Sequence, residues 1–354
     1  MGMVLTQDLR GRRRSRKWWW LLLLPVLLAG VAAFWFGPRV LSLKAGSLVL
    51  RPTEGSLDQH ARQAVLQATG GLRARVVWSS SQTGSHEIFL LSLPDLATYR
   101  LTNNDRVDYY PRFSPDGNRI VLARSQRPWV SEREVEPWDV FLLSLADGSE
   151  RLLARNANFP QWMDGHQVSF VRQGREVVVI NVDNGQERVV YPLPGQTAAW
   201  TELSTPELSP RDPRRLVLTG RGGVEGVFLL DPAGKGQQHY GHGGTCEITW
   251  APDASFVLWM QNQGHGGTRI MRSPLKPEQE EVFMDLPGEF SHEYFPRLSR
   301  DGRWLVWAAS AGGHEHDLAD YEIFLWQVGR PWGEAVRLTA NPANDRWPDI
   351  HILR

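Results

Sequence analysis

Residues 111–123 read Pro111-Arg112-Phe113-Ser114-Pro115-Asp116-Gly117-Asn118-Arg119-Ile120-Val121-Leu122-Ala123, a turn signal running into an apolar stretch. Proline presets φ, aspartate closes the turn with its side chain and glycine accepts positive φ, so the segment joins two strands. The phrase recurs as Pro160-Gln161-Trp162-Met163-Asp164-Gly165, Pro206-Glu207-Leu208-Ser209-Pro210-Arg211-Asp212 and Pro296-Arg297-Leu298-Ser299-Arg300-Asp301-Gly302. A fifth copy, Ile248-Thr249-Trp250-Ala251-Pro252-Asp253, lacks the first proline, and a sixth, Pro348-Asp349-Ile350-His351-Ile352, stops at the C-terminal end. The intervals of 49, 46, 42, 48 and 52 residues match the length of a four-stranded propeller blade.

Around each copy the same strands return. An apolar strand follows it (Arg119–Ala123, Arg215–Leu218, Trp304–Trp307), then a second (Ile88–Leu91, Val140–Leu143, Val227–Leu230, Ile323–Trp326), then a third (Arg100-Leu101-Thr102, Arg151-Leu152-Leu153, Arg337-Leu338-Thr339). A lone blade cannot cover both of its faces, and radial packing of blades buries them. The first blade begins near Arg75 with its second strand, whereas Trp347–Ile352 is an inner strand with no blade of its own. Pairing of that strand beside Val76-Val77-Trp78 closes the ring and removes the open edges. The expected fold is all-β, a six-bladed β-propeller over residues 72–354 with strand closure by the C-terminus.

The FSPDG phrase with its IVLA, IFLL and RLT strands resembles the WD40-like (PD40) repeats of TolB-type six-bladed propellers, over about 280 residues. The resemblance implies fold more than function. The connector at 37–71 is too short to supply the α/β domain that precedes the propeller in TolB itself. The same repeats occur on prolyl-oligopeptidase-type peptidases, but the chain has no G-x-S-x-G elbow,.

The 354 residues are 42% hydrophobic and 22% charged with a net charge of +0, the composition of a globular chain,. Thirty-three glycines, 23 prolines and 16 tryptophans favour short strands and tight turns,. Six basic residues against Asp8 give residues 1–17 a charge of +5, which leaves the body mildly acidic. Without a basic patch, nucleic acid is not an expected partner. Cys246, the single cysteine, excludes an intramolecular disulfide and reads as a small buried hydrophobe,.

Residues 18–36, WWWLLLLPVLLAGVAAFWF, carry no charge and at 1.5 Å per residue span roughly 28 Å, close to the hydrocarbon core of a bilayer. Tryptophans at both ends and the basic cluster before the span predict a transmembrane helix with residues 1–17 as a cytoplasmic tail. The propeller is then periplasmic, on a bacterial inner membrane. A cleaved signal peptide ending near Val31-Ala32-Ala33 is the competing reading; the apolar Phe34-Trp35-Phe36 beyond it favours the anchor. In the connector, Ser56 and Gln59 fit a capping box for a short helix over Leu57–Thr69, ended by Gly70-Gly71,. Its face of Leu57, Ala61, Ala64, Val65 and Ala68 suits packing on the propeller or on a neighbour.

Loops entering the inner strands and loops between second and third strands share one face of a propeller. His86, His242, His265, His292, His314 and His316 fall in such loops, and Gly241–Thr245 and Gly264–Thr268 repeat the same five letters. Asp108, Glu293 and Asp345 each stand three residues before an inner-strand proline, in neighbouring blades, so three carboxylates are expected at the channel mouth. The insertion Arg127–Pro137, with Trp129, Glu132, Glu134 and Glu136, projects from the same face of blade 2, and loops of that length often carry function. The candidate binding face is therefore Asp108, Trp129, His242, His265, His292, Glu293, His314, His316 and Asp345.

Three functions fit. The first is a non-catalytic, membrane-anchored scaffold or accessory subunit that docks periplasmic or inner-membrane proteins. The second is a lactonase-like hydrolase with a divalent metal held among Asp108, His292, Glu293, His314, His316 and Asp345. The third is a receptor for a sugar, peptide or other small ligand. No cofactor is required by the first or third. Trp78, Trp162, Trp250, Trp304, Trp307 and Trp326 fall on strands and read as core packing rather than ligand stacking.

Overall fold

In a computed structural model of the chain, residue 53 and residues 55–231, 236–241, 244–313 and 315–353 are described. The proposed membrane span at 18–36, His242 and His314 lie outside them. Among the described residues, no helix is long and apolar enough to cross a membrane.

Six four-stranded antiparallel sheets form the six expected blades. Their innermost strands, in blades 1 to 6, are Asp345–Ile352, Asp108–Phe113, Ala157–Trp162, Glu202–Leu208, Thr245–Trp250 and His292–Leu298. Blade 1 is the composite one. Asp345–Ile352 pairs with Ala74–Ser80, matching Ala74 with Ile352, Val76 with Ile350 and Ser80 with Asp345. Glu87–Leu93 and Ala97–Arg100 complete the blade.

Strand sequences are apolar on both faces because each blade has two neighbours. In blade 2, Ile120 and Leu122 pack with Val77, Ile88 and Leu90 of blade 1. Val121, Val140 and Leu142 pack instead with Ala157, Val168 and Phe170 of blade 3. The period-2 alternation of a strand thus divides one sheet between two interblade cores. The strand tryptophans Trp78, Trp250, Trp304, Trp307 and Trp326 are buried, as core packing requires.

The recurring turn is built by its own side chains. The Ser114 hydroxyl donates to Asp116 and accepts from the Arg119 N–H, and Gly117 donates its N–H to the Ser114 carbonyl with φ at +70°. Ser299, Asp301, Gly302 and Trp304 repeat these bonds in blade 6. A side chain at Gly117 would also meet the His351 ring.

The connector helix, α1, runs Gln59–Thr69. Its N-cap is Asp58, whose carboxylate accepts the Ala61 N–H, not Ser56 as the capping-box reading expects. The Ser56 hydroxyl instead accepts the Ala340 N–H of blade 6 at 2.8 Å. Leu57 and Val65 are buried in the main core, and the Arg62 guanidinium donates to the Asp95 and Leu96 carbonyls of blade 1. The apolar face of α1 therefore lies on the propeller itself, beside the composite blade.

Ile350 is buried opposite Val76 in the closing pair. Ile350→Ala should destabilise the protein by about 2–5 kcal/mol, since it removes buried methyl groups and leaves a cavity in the closing sheet. Denaturant titration of the variant against wild type measures the loss.

Candidate functional site

Each innermost strand carries one residue in left-handed backbone conformation just before its anchor position. These are Trp347, Tyr110, Phe159, Thr205, Glu247 and Phe295, with φ between +46° and +62°. At each of the six places the strand register breaks, so each is a β-bulge on the axial edge. Proline tolerates that place because a bulge leaves a backbone N–H without a ladder partner, and proline has none to lose. The bulges gather the six side chains into a septum. Tyr110 lies 4.6 Å from Phe159 and 4.2 Å from Trp347 between ring centroids, and Phe295 lies 4.0 Å from Trp347. The septum is aromatic over blades 6, 1, 2 and 3 and polar over blades 4 and 5.

Below the septum the axis is closed by charge. Arg297 pairs with Glu207 at 2.9 Å, Glu207 accepts from Thr249, and Asp349 accepts the Phe113 N–H. Arg112 is buried there, donating to the Trp347 and Pro348 carbonyls, and burial with Arg297 nearby pulls its pKa down to about 9. The void left at this level is only about 20 Å³.

Above the septum lies a cavity of about 440 Å³. Its floor includes Tyr110, Phe159, Thr205, Glu247 and Trp347, and its walls include Thr219, Arg221 and Glu225 of blade 4, Cys246 of blade 5 and Glu132, Arg133 and Val135 of the long insertion. Among the described residues, the site is a funnel on the side where the inner strands begin, with the septum as its floor.

The insertion does not project from the face, as its length suggests, but folds across it. Glu132 reaches over blade 1 to accept from the Arg346 guanidinium at 3.1 Å, the Trp347 indole N–H at 3.1 Å and the His316 ring. Arg346 is fully buried, with its guanidinium 4.4 Å from the Tyr109 ring centroid and bonded to the Tyr109 hydroxyl and the His316 carbonyl. Ser131 bonds Asp317, and Arg133 pairs with Glu315 at 3.1 Å. On the other side, Val135 seats against Gly174, where an added Cβ would lie 2.6 Å from its methyl. Two long loops, from blades 2 and 6, thus strap the mouth over the closing strand. Burial alone would push the Glu132 carboxyl up, but His316 and Arg346 outweigh it and hold it at about 2.

Glu247 differs. It is 7% exposed, its carboxylate accepts the Phe295 N–H at 2.6 Å, and burial, with Glu132 adding to it, pushes its pKa well above the carboxylate range. The Cys246 thiol beside it is raised for the same reason, burial, and it lines the funnel wall rather than a closed core.

The expected cluster at the mouth is not assembled. Asp108, Glu293 and Asp345 are fully buried, each in its own interblade crossing. Asp108 accepts from Arg124 and Asn104, while Glu87 accepts from Thr102 and Asn104. Asp345 accepts from Asn341, and Glu322 from Thr339 and Asn341, the same device one blade earlier in the ring. Glu293 takes the Leu286 N–H and the Thr268 hydroxyl. These carboxyls tie one blade to the next. His265 pairs with Asp285 on an exposed hairpin, His86 is buried against Ser79 and Tyr109, and His292 packs by Gly267. Of the described histidines, His316 reaches the funnel wall. Trp129 stands 63% exposed on the strap. Asp108, His292, Glu293, His316 and Asp345 are therefore not brought together around a metal, and no group of three or more potential ligands is arranged to hold one among the described residues.

Fold and site define the class: a six-bladed β-propeller, resembling TolB structures, with a strapped axial funnel. TolB from Acinetobacter baumannii superposes with a TM-score of 0.58 at 13% identity, over 81% of this chain and 69% of that one. A putative TolB from Agrobacterium tumefaciens gives 0.53 at 16%, over 80% and 99%. Hydrazine synthase of Kuenenia stuttgartiensis gives 0.52 at 12%, over 85% and 50%. No protein-family model matches the sequence, and no curated protein does. At such identities the likeness is one of fold.

Glu132→Ala removes the nearer carboxylate from the buried Arg346, leaving Asp317 at 3.4 Å, and should cost about 3 kcal/mol in denaturant unfolding. Burial sets a second expectation. It lifts Glu322 to about 8, Glu293 to about 8 and Asp345 to about 6. A carboxyl raised on folding contributes stability that is full below its unfolded value and is lost as pH rises through the folded one. The melting temperature should therefore fall from pH 5 to pH 8.5, and Glu322→Gln should flatten that fall; an unchanged slope in the variant would remove Glu322 from the account.

Proposed function

We propose that the chain is a non-catalytic binding propeller of the bacterial envelope, anchored in the inner membrane by residues 18–36. In this reading its N-terminus is cytoplasmic and its propeller periplasmic, and it serves as an accessory or scaffold subunit that docks a periplasmic or inner-membrane protein on the strapped face. One observation carries the reading: the axis is narrowed at one level to a void of about 20 Å³ beside Arg112 and Arg297 and widens above the septum into a funnel of about 440 Å³. A funnel with a floor and a braced rim suits holding a guest. The exposed Trp129 on the strap adds an aromatic anchor of the kind interfaces favour,. The hydrolase reading gains no support from histidines and carboxylates that stand in separate blades.

The test is purification of the full chain from native membranes in mild detergent through a tag on the N-terminus, away from the closing strand. A partner should co-purify in fixed proportion and be lost from a Trp129→Ala variant, while alkaline washing should leave the chain in the membrane unless residues 18–36 are deleted. Recovery as a lone monomer, or release by alkali with 18–36 in place, would contradict the proposal.

A further inference from the structure

The funnel floor is chemically lopsided. Trp347, Tyr110 and Phe159 make a continuous aromatic arc, and Glu247 faces it from blade 5 beyond Thr205. Electrostatics then narrows the guest. Of the charged side chains around the cavity, Glu132 is satisfied by Arg346, Arg133 pairs with Glu315, and Arg221 lies 3.9 Å from Glu202. What remains is Glu247 at the floor, bonded to the Phe295 N–H and the Cys246 thiol and within the field of Arg221 but in no ion pair, and the exposed Glu225 at the rim. Among the described residues, each arginine that lines the cavity has a carboxylate within 4 Å, while Glu247 and Glu225 form no ion pair. An anion would enter against that balance, and a neutral polyol would leave it unused. A cation with apolar shoulders uses both walls, because aromatic faces attract positive charge and the buried carboxyl gains a counter-ion.

We propose that the funnel binds an organic ammonium group, its nitrogen on the Glu247 carboxyl and its methylene or methyl groups against Tyr110, Phe159 and Trp347. This deepens the proposed function, resting on the reading of the funnel as a binding site. Two sources share the chemistry, a free amine and a lysine side chain offered by a docked partner.

The experiment is calorimetric titration of the full chain in detergent with n-butylammonium, tetramethylammonium, n-butanol and butyrate, at pH 7 in two buffers of different ionisation heat. Butylammonium should bind saturably and one to one, with net proton release, because burial raises the Glu247 pKa in the empty funnel and an arriving ammonium lowers it,. Glu247→Gln, whose amide oxygen still accepts the Phe295 N–H, should keep the melting temperature, abolish proton release and weaken binding on the order of tenfold or more. Should that variant unfold, Glu247→Asp serves in its place. Phe159→Leu should weaken tetramethylammonium more than butylammonium.

Butanol or butyrate binding as tightly as butylammonium, no saturable heat, or full affinity in Glu247→Gln would each overturn the proposal. The sources separate in the co-purification. Elution of the partner by butylammonium but not by sodium at equal concentration supports a lysine guest. Ammonium binding by a chain that recovers no partner supports a free amine and rejects the docking reading alone.

Discussion

The pairing of Asp345–Ile352 with Ala74–Ser80 is the contact on which the other features depend. It joins segments at opposite ends of the described chain, so its closure entropy is met only when all the blades are in place. Once formed, it delivers Arg346 and Trp347 to the axis. Arg346 is the charge that the Glu132 strap answers, and Trp347 completes the aromatic arc of the septum. Helix α1 and Ser56 then brace the closed blade from outside. A local pairing thereby organises the mouth, the floor and the outer edge together.

The second constraint is the bulge. Left-handed backbone at a non-glycine residue costs on the order of 1–3 kcal/mol, and the ring carries it six times. The repetition shows what it accomplishes: the side chain before each anchor turns to the axis, so six otherwise equivalent strands present five kinds of side chain to one place. Where the side chains are aromatic they pack on one another, and where they are Thr205 and Glu247 they leave a polar notch. The funnel is thus a variation in side chains upon an invariant backbone.

That division explains what the sequence discloses. The blades, their number and the closing strand follow from the Pro-Asp-Gly phrase because turn chemistry and strand alternation are local. The same phrase marks the six bulges, and its one irregular copy, Ile248 in place of proline, stands next to Glu247. Reading the residue before each anchor as a column would have singled that carboxyl out. The strap could not be read so. Glu132 and Arg346 are 214 residues apart, and nothing near either of them names the other. Asp108 and Asp345 misled because residues close to a mouth in sequence look like ligands. The motif they belong to is visible only with its partners: Glu87, Thr102 and Asn104 with Asp108, and Glu322, Thr339 and Asn341 with Asp345.

Ala74 and Ile352 face each other across the closing pair, flanked by the bond from the Leu353 N–H to the Arg73 carbonyl, which makes theirs a non-hydrogen-bonded pair with closely spaced Cα atoms,. Cysteines at these two positions, with Cys246 replaced by serine, should oxidise readily in the folded protein to one intramolecular disulfide, seen as a faster band on a non-reducing gel and a loss of both free thiols. Two thiols that stay separately reactive under oxidation, or that join only between molecules, would contradict the closed ring and every feature built on it.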